Sequence, residues 1–594
     1  MPLTYGAGVN IIDRAFMTNH TPATSAAVLR GIGDFPSLAA ALRRAAQGAA
    51  GMNFYSGRGQ LTEALPYVSL LEQSEALARR LLARGLVRGD RVALLAETDG
   101  DFARAFFACQ LAGLVPAPLP LPAALGGRAT YLEHIRKMTE SIGAAAALAP
   151  AAFESWIKEA CDGLALRFVG TVAGLGEVEP FTGELVAPTP DELAYLQFSS
   201  GSTRFPHAIA VTHRAVVANI DAIVRYGLQI TAKDRCASWL PFYHDMGLVG
   251  FLLTPVCCAI SVDYLATREF ARRPLTWLQL ISSYGGTLSF SPSFGFELCA
   301  RRVENGGVPE GLDLSRWRAA GIGGDMVRPG PLHKFMDSFA ASGFSRGAMT
   351  PSYGMAEAAL ALSFSPLGRG LRMDVLDTDR LEREHIAVAP AEGSHRRREF
   401  VRCGAILPGH EVQVRDENGK PMAEFGVGLI HVRGPSLFKE YFAQPEETAR
   451  AIGSDGWLNT GDIGYLADGE IVITGRAKDL IIVNGRNIRP QDLEWTAEGE
   501  VSSLRSGDVA AFAVDDEAGE SVVVLVESRL TETTARDALC EEVSGVLRAR
   551  HGIEVRVVPV PPRSLPQTSS GKLSRAKARA LYLSGGFAKA AAGG

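Results

Sequence analysis

Between residues 36 and 150 the apolar positions switch repeatedly between a helical spacing and short buried runs, and few folds satisfy that rhythm. Leu70, Leu77 and Leu81 share one helical face, Gly85 offers a C-cap, and 91–96 reads as a buried strand. An apolar-rich helix at 101–113 and a proline-laden exit at 115–122 follow, with a further helix expected at 215–227. Strands joined by helices bury a largely parallel sheet, because a parallel crossover needs a connection of helix length. At 594 residues the chain exceeds what one core holds, so two or three domains are expected.

The texture changes at 412. Short strands at 412–415 and 428–433, with a turn at Asn418-Gly419, predict a small barrel or distorted sheet. A charged turn at 475–479 marks a domain hinge. Strands at 509–514, 521–527 and 554–560, with a helix near 536–550, predict a small α+β domain with an antiparallel sheet. The Ala/Gly tail is expected to be disordered.

A net charge of −5 gives no basic footprint, which excludes nucleic acid as a partner. Eight cysteines without a C-x-x-C pair, several in apolar surroundings, read as reduced core residues and predict a cytoplasmic protein. Residues 1–19 lack the basic and apolar regions of a secretory signal. The apolar run 246–262 is short for a membrane span and broken by Pro255, so it predicts a buried helix followed by a strand.

Several segments carry chemistry. In the loop 196–206, Ser199, Ser200, Gly201, Ser202 and Thr203 supply hydroxyls, backbone N–H groups and little bulk, which is what polyphosphate oxygens require. The Walker A pattern is absent, and a Ser/Gly-rich linker is the competing reading. His244, in an aromatic segment, is placed to hold a carboxylate by hydrogen bonding or is simply a core histidine. The apolar run after it, together with 289–298, walls a hydrophobic tunnel or belongs to the core. Gly324 and Asp325 end a strand, and Tyr353-Gly354-Met355 offers an aromatic face for adenine. Glu357 offers oxygen to Mg²⁺ or is a helix first-turn carboxylate. Asp462 suits ribose hydroxyls, and Lys572 stands on a glycine-containing loop or in a solvated tail.

Taken in order, these segments resemble the adenylate-forming superfamily of acyl-CoA synthetases, luciferases and peptide-synthetase activation domains, over roughly 35–581. Within it the chain looks most like the fatty acyl-AMP ligases. Relatives that make acyl-CoA usually carry glycine and lysine where Arg204 and His207 stand. Segments 240–248 and 485–494 look like the ligases' versions, and the polar stretch 367–400 resembles a ligase-specific insertion that impedes the domain swing needed for coenzyme A.

The resemblance implies an α/β fold with a large N-terminal region, 1–476, of two α/β subdomains and a small β-barrel at 401–475. Lys478 is the implied hinge to a mobile α+β domain, 477–585, with 586–594 as a disordered tail. It assigns Ser199, Ser200, Gly201, Ser202 and Thr203 to the ATP phosphates and Glu357 to Mg²⁺. Gly324, Asp325, Tyr353, Gly354 and Met355 are assigned to adenine, Asp462 and Arg476 to ribose, His244 to the carboxylate and α-phosphate, and Lys572 to the reacting oxygens. The implied activity is ATP-dependent conversion of a medium- or long-chain fatty acid to its acyl-adenylate with pyrophosphate release. Transfer to the phosphopantetheine thiol of an acyl carrier protein, or of a polyketide or peptide synthase carrier domain, follows. Acyl-CoA is the alternative product. Joint presence of Glu357, Asp462, Arg476 and Lys572 argues against a non-catalytic adenylate sensor.

Overall fold

Strands Val262–Leu265, Cys236–Ser238, Leu288–Ser291, Ala319–Ile322 and Met349–Gly354 lie side by side and parallel, the first four buried along their whole length. Full burial is what helices on both faces of a parallel sheet impose, and it extends to the polar members Ser238, Asp263, Ser289 and Ser291. The computed structural model describes residues 27–587, apart from 123–126, 177–178, 200–205, 395, 484–485, 517–518 and 569–571. The stretch 1–19, expected to lack a secretory signal, therefore lies outside the described residues.

Beyond Met349–Gly354 the same sheet turns antiparallel, through Ala361–Phe364, Arg397–Ile406, Glu470–Arg476, Leu458–Ala467, Gly428–Arg433 and Glu411–Arg415. The short-strand region is thus hydrogen-bonded into one 14-stranded sheet with the parallel core.

A second parallel sheet orders Val115–Leu119, Arg91–Leu95, Ala146–Leu148 and Phe168–Gly170. Here the proline-laden exit proves to be an edge strand. Val115 and Leu119 bond toward the neighbouring strand, through Val115 N to Asp90 O and Ala96 N to Leu119 O. Pro116 and Pro118 have the opposite parity, so their missing N–H groups cost no ladder bond.

The expected leucines of helix Tyr67–Ala83 are buried, and Gly85 follows it at φ +84°. Asp99 caps helix Gly100–Ala112 through the Phe102 N–H at 2.9 Å. The 246–262 run becomes a π-helical segment Met246–Leu253, a helix Thr254–Cys258 with Pro255 in its first turn, and strand Val262–Leu265. No helix among the described residues is long and apolar enough to cross a membrane. All eight cysteines are free, and seven are buried.

In the C-terminal unit Val509–Asp516 pairs antiparallel with Gly519–Glu527, as expected, but Arg556–Val560 joins the latter in parallel. The 19-residue helix Thr533–His551 carries the chain back along the sheet, so the third strand enters in the same direction as the second. Phe587, expected in a disordered tail, packs into the core of this unit.

The stretch 367–400 reaches across to it. Glu382, on helix Thr378–Arg383, accepts from Arg486 at 2.8 Å and from Arg396 at 3.2 Å. Arg398 ion-pairs with Asp492 and lies between the rings of Phe400 and Trp495, and Arg328 pairs with Glu498 at 3.0 Å.

Candidate active site

Three cavities meet at Gly324 and Gly354, just beyond and at the C-terminal ends of adjacent strands. Gly324 has φ +78°, and a Cβ there would lie 2.8 Å from the Met246 methyl; one on Gly354 would lie 1.9 Å from the Leu360 carbonyl. Neither position tolerates a side chain, which leaves bare backbone at the junction.

The first cavity, about 270 Å³, is polar and is lined by Ser199, His244, Met355, Glu357, Tyr441, Lys478 and Lys572 among others. It lies against the hairpin of Leu193–Phe198 and Ala208–Thr212, whose loop closes through Ser199 N to His207 O at 2.9 Å and His207 N to Ser199 Oγ at 3.0 Å. Ser200, Gly201, Ser202 and Thr203 lie outside the described residues. Tyr441 donates to Glu357 Oε1 at 2.9 Å. Burial nonetheless raises the Glu357 carboxyl above its usual range, with the Tyr441 bond and Arg476 opposing. His244 Nδ1 lies 2.6 Å from Asp245 Oδ1. Burial disfavours the Asp245 charge, but His244 and Lys572 outweigh it and hold that carboxyl below its usual value.

The second cavity, about 150 Å³, is framed by Gly324, Asp325, Ser352, Tyr353, Asp462 and Arg476. The Tyr353 hydroxyl donates to Asp462 Oδ2 at 2.7 Å, and Arg476 Nε donates to Asp462 Oδ1 at 3.0 Å. Both oxygens of this carboxylate are thereby fixed in place. Strand pairing sets this up, since Asp462 and Arg476 are opposed across an antiparallel ladder.

The third cavity is apolar and runs inward from Gly324 between Met246, Phe251, Phe290 and Phe364. Of the segment 289–298 only Phe290 lines it. Phe296 is core, between Trp277 and Trp317, while Phe294 and Leu298 face the cleft beneath the C-terminal unit.

Lys572 reaches in from that unit. Its ammonium donates to the Gly324 carbonyl and lies in the field of Asp325, Asp245 and Asp462. Burial lowers its pKa, Arg476 adds to this, and the carboxylates oppose it. Burial likewise lowers the pKa of Lys478. Lys572 is therefore not a solvated tail lysine.

Sequence reasoning missed Asp245, though it stands next to His244, and Tyr441, which only the third strand of the hairpin sheet, Glu440–Tyr441, brings to Glu357. Among the described residues no cluster of three or more His, Cys, Asp or Glu forms a metal site. A carboxylate on a polar cavity does fit Mg²⁺, which takes one or two carboxylates and completes its shell with water and phosphate oxygens.

A family model of AMP-binding enzymes matches residues 42–442. A Caulobacter vibrioides protein, named provisionally as an acyl-CoA synthetase, is 54% identical over 96% of this chain and 98% of its own. The medium-chain-fatty-acid–[acyl-carrier-protein] ligase JamA of Moorena producens is 33% identical over 88% of this chain and 90% of its own. A solved structure from a study of fatty acyl-adenylate ligases of E. coli and L. pneumophila superposes with a TM-score of 0.89 at 44% identity, covering 94% of this chain and 99% of that one.

Proposed function

This chain belongs to the AMP-binding enzyme family and is an adenylate-forming fatty-acid ligase, and from that premise we propose that it passes its acyl group to a carrier-protein thiol. The observation that carries the adenylating half is the meeting of the apolar cavity, the cavity framed by Tyr353 and Asp462, and the polar cavity at Gly324 and Gly354, beside the Lys572 ammonium. A fatty chain in the apolar cavity places its carboxylate against the α-phosphorus of ATP bound across the other two. The carboxylate oxygen attacks in line, the bond to the β-phosphate breaks, and pyrophosphate leaves into the polar cavity.

Two anions must approach one another, so the requirement is positioning and cancellation of charge. In this reading Lys572 supplies a compact cation to the reacting oxygens, and His244 orients the carboxylate. Asp462, fixed by Tyr353 and Arg476, takes the ribose hydroxyls, with Gly324, Asp325, Tyr353, Gly354 and Met355 around the adenine. Ser199, Ser200, Gly201, Ser202 and Thr203 hold the phosphates. Glu357 would hold Mg²⁺, which when bound screens the β- and γ-phosphate oxygens.

Two observations support a carrier thiol as acceptor. JamA, related along most of the chain, is named for carrier-protein ligation. The insertion grips the C-terminal unit through Glu382, Arg396 and Arg398, which opposes the swing that admits coenzyme A. The name of the 54%-identical relative favours acyl-CoA as a second reading. Incubation with ATP, fatty acid and either coenzyme A or a phosphopantetheinylated carrier protein separates them. Acyl-AMP that stalls with coenzyme A but discharges onto the carrier supports the proposal; efficient acyl-CoA formation defeats it.

A further inference from the structure

A strap of chain, 439–444, runs along the outer edge of the hairpin that borders the polar cavity. Its backbone extends the hairpin sheet. Glu440 and Tyr441 pair with Ala210 and Ile209, and the Phe442 N–H donates to the Ala208 carbonyl at 2.7 Å. Two of its side chains reach back toward the site. Tyr441 donates to Glu357 at 2.9 Å, and its ring packs against the His207 imidazole, 4.9 Å away between centroids and tilted by 37°. Gln444 Oε1 is hydrogen-bonded to His207 Nδ1.

Gln444 is itself held in place. Its N–H donates to the Tyr441 carbonyl at 2.9 Å. Its carbonyl accepts from the Thr448 N–H at 3.0 Å and the Thr448 hydroxyl at 2.9 Å, at the start of helix Pro445–Ala451. An amide oxygen only accepts, so Nδ1 carries the hydrogen of the bond between Gln444 and His207. Nε2 is then the ring nitrogen left to a ligand. His207 lines the polar cavity together with Ser199, Lys478 and Lys572. With Nδ1 committed to Gln444, Nε2 donates to a phosphate oxygen when the ring carries both hydrogens, the form that a polyanion beside it favours.

We propose that His207 holds the departing pyrophosphate through Nε2, and that Gln444 positions it by keeping Nδ1 occupied. The strap thereby sets an anion donor through Gln444 and the carboxylate of the proposed Mg²⁺ site through Tyr441. This rests on the adenylating reading above and adds two residues to it, one touching the product and one acting through the first.

The test is fatty-acid-dependent exchange of labelled pyrophosphate into ATP, with pyrophosphate and dodecanoate varied in turn and the fold of each variant checked by thermal melting. His207→Ala is expected to raise the KM for pyrophosphate roughly tenfold or more, the size of a lost hydrogen bond to a charged group. The KM for dodecanoate stays near wild type, whereas a general distortion of the site would move both. His207→Lys, an ammonium with no tautomer to set, recovers most of the pyrophosphate affinity. Gln444→Ala raises the pyrophosphate KM roughly threefold in the wild-type background and leaves it unchanged in the His207→Lys background. An unchanged pyrophosphate KM in His207→Ala, an equal rise for both substrates, or a lysine variant no better than the alanine one overturns the role of His207. A Gln444→Ala effect that persists beside the lysine overturns the positioning role. A wild-type enzyme that exchanges no pyrophosphate with dodecanoate or any other fatty acid overturns the adenylating reading itself, and this proposal with it.

Discussion

Lys572 brings one ammonium to the place where the three cavities join, held on the Gly324 carbonyl and faced by Asp245, Asp325 and Asp462. Pre-placed charge of this kind is worth most where water is excluded, so Lys572→Ala is expected to lower pyrophosphate release roughly 10²–10³-fold. ATP affinity, followed by calorimetry, stays close to wild type, because the other proposed nucleotide contacts remain. The Glu357–Tyr441 pair makes a pH prediction. Burial raises the Glu357 carboxyl, and the Tyr441 hydroxyl opposes that by donating to the charged form. Tyr441→Phe removes the opposition, so the Glu357 pKa rises further. The acid limb of the Mg²⁺-dependent rate therefore moves to higher pH; a profile that keeps its acid limb denies Glu357 this role.

At the level of elements, the chemistry of the proposed acceptor is decided by how helix Thr378–Arg383 meets the C-terminal unit. Glu382 has a side chain only 1% exposed and serves Arg486 and Arg396 at once. Removing one partner of a buried ion pair costs about 3–5 kcal/mol, because the charge left behind remains desolvated. Glu382→Ala should loosen the docked unit and raise acyl-CoA formation from acyl-AMP and coenzyme A, read by chromatography. Unchanged rejection of coenzyme A would remove this contact from the account. Two other elements show where pattern reading stops. Val115–Leu119 is a strand because Pro116 and Pro118 fall on the free edge, and Arg556–Val560 is parallel because a long helix precedes it. Neither edge position nor strand direction is written in a local period.

Across the whole molecule, Lys572 joins the C-terminal unit to the large region beside the proposed nucleotide and acyl sites, so a ligand spanning all three should stabilise both units together. A non-hydrolysable acyl-AMP mimic at a hundred times its Kd adds about 2.7 kcal/mol to the bound form. Thermal unfolding should then shift upward for both units, whereas a shift confined to one of them would place the ligand outside the junction. The residues themselves determined a good deal: helices and buried strands from apolar spacing, and the order of hydroxyl, glycine, tyrosine and acidic segments that carries the family resemblance. Such signals are local, because a turn or a cap is built from neighbours in sequence. Tertiary structure alone decided which aromatics wall a cavity, since Phe290 and Phe296 stand in the same apolar texture yet one faces the cavity and the other the core. It alone brought Tyr441 to Glu357 and Lys572 to Gly324, 84 and 248 positions apart, because distance along the chain says nothing about distance after the sheets have folded.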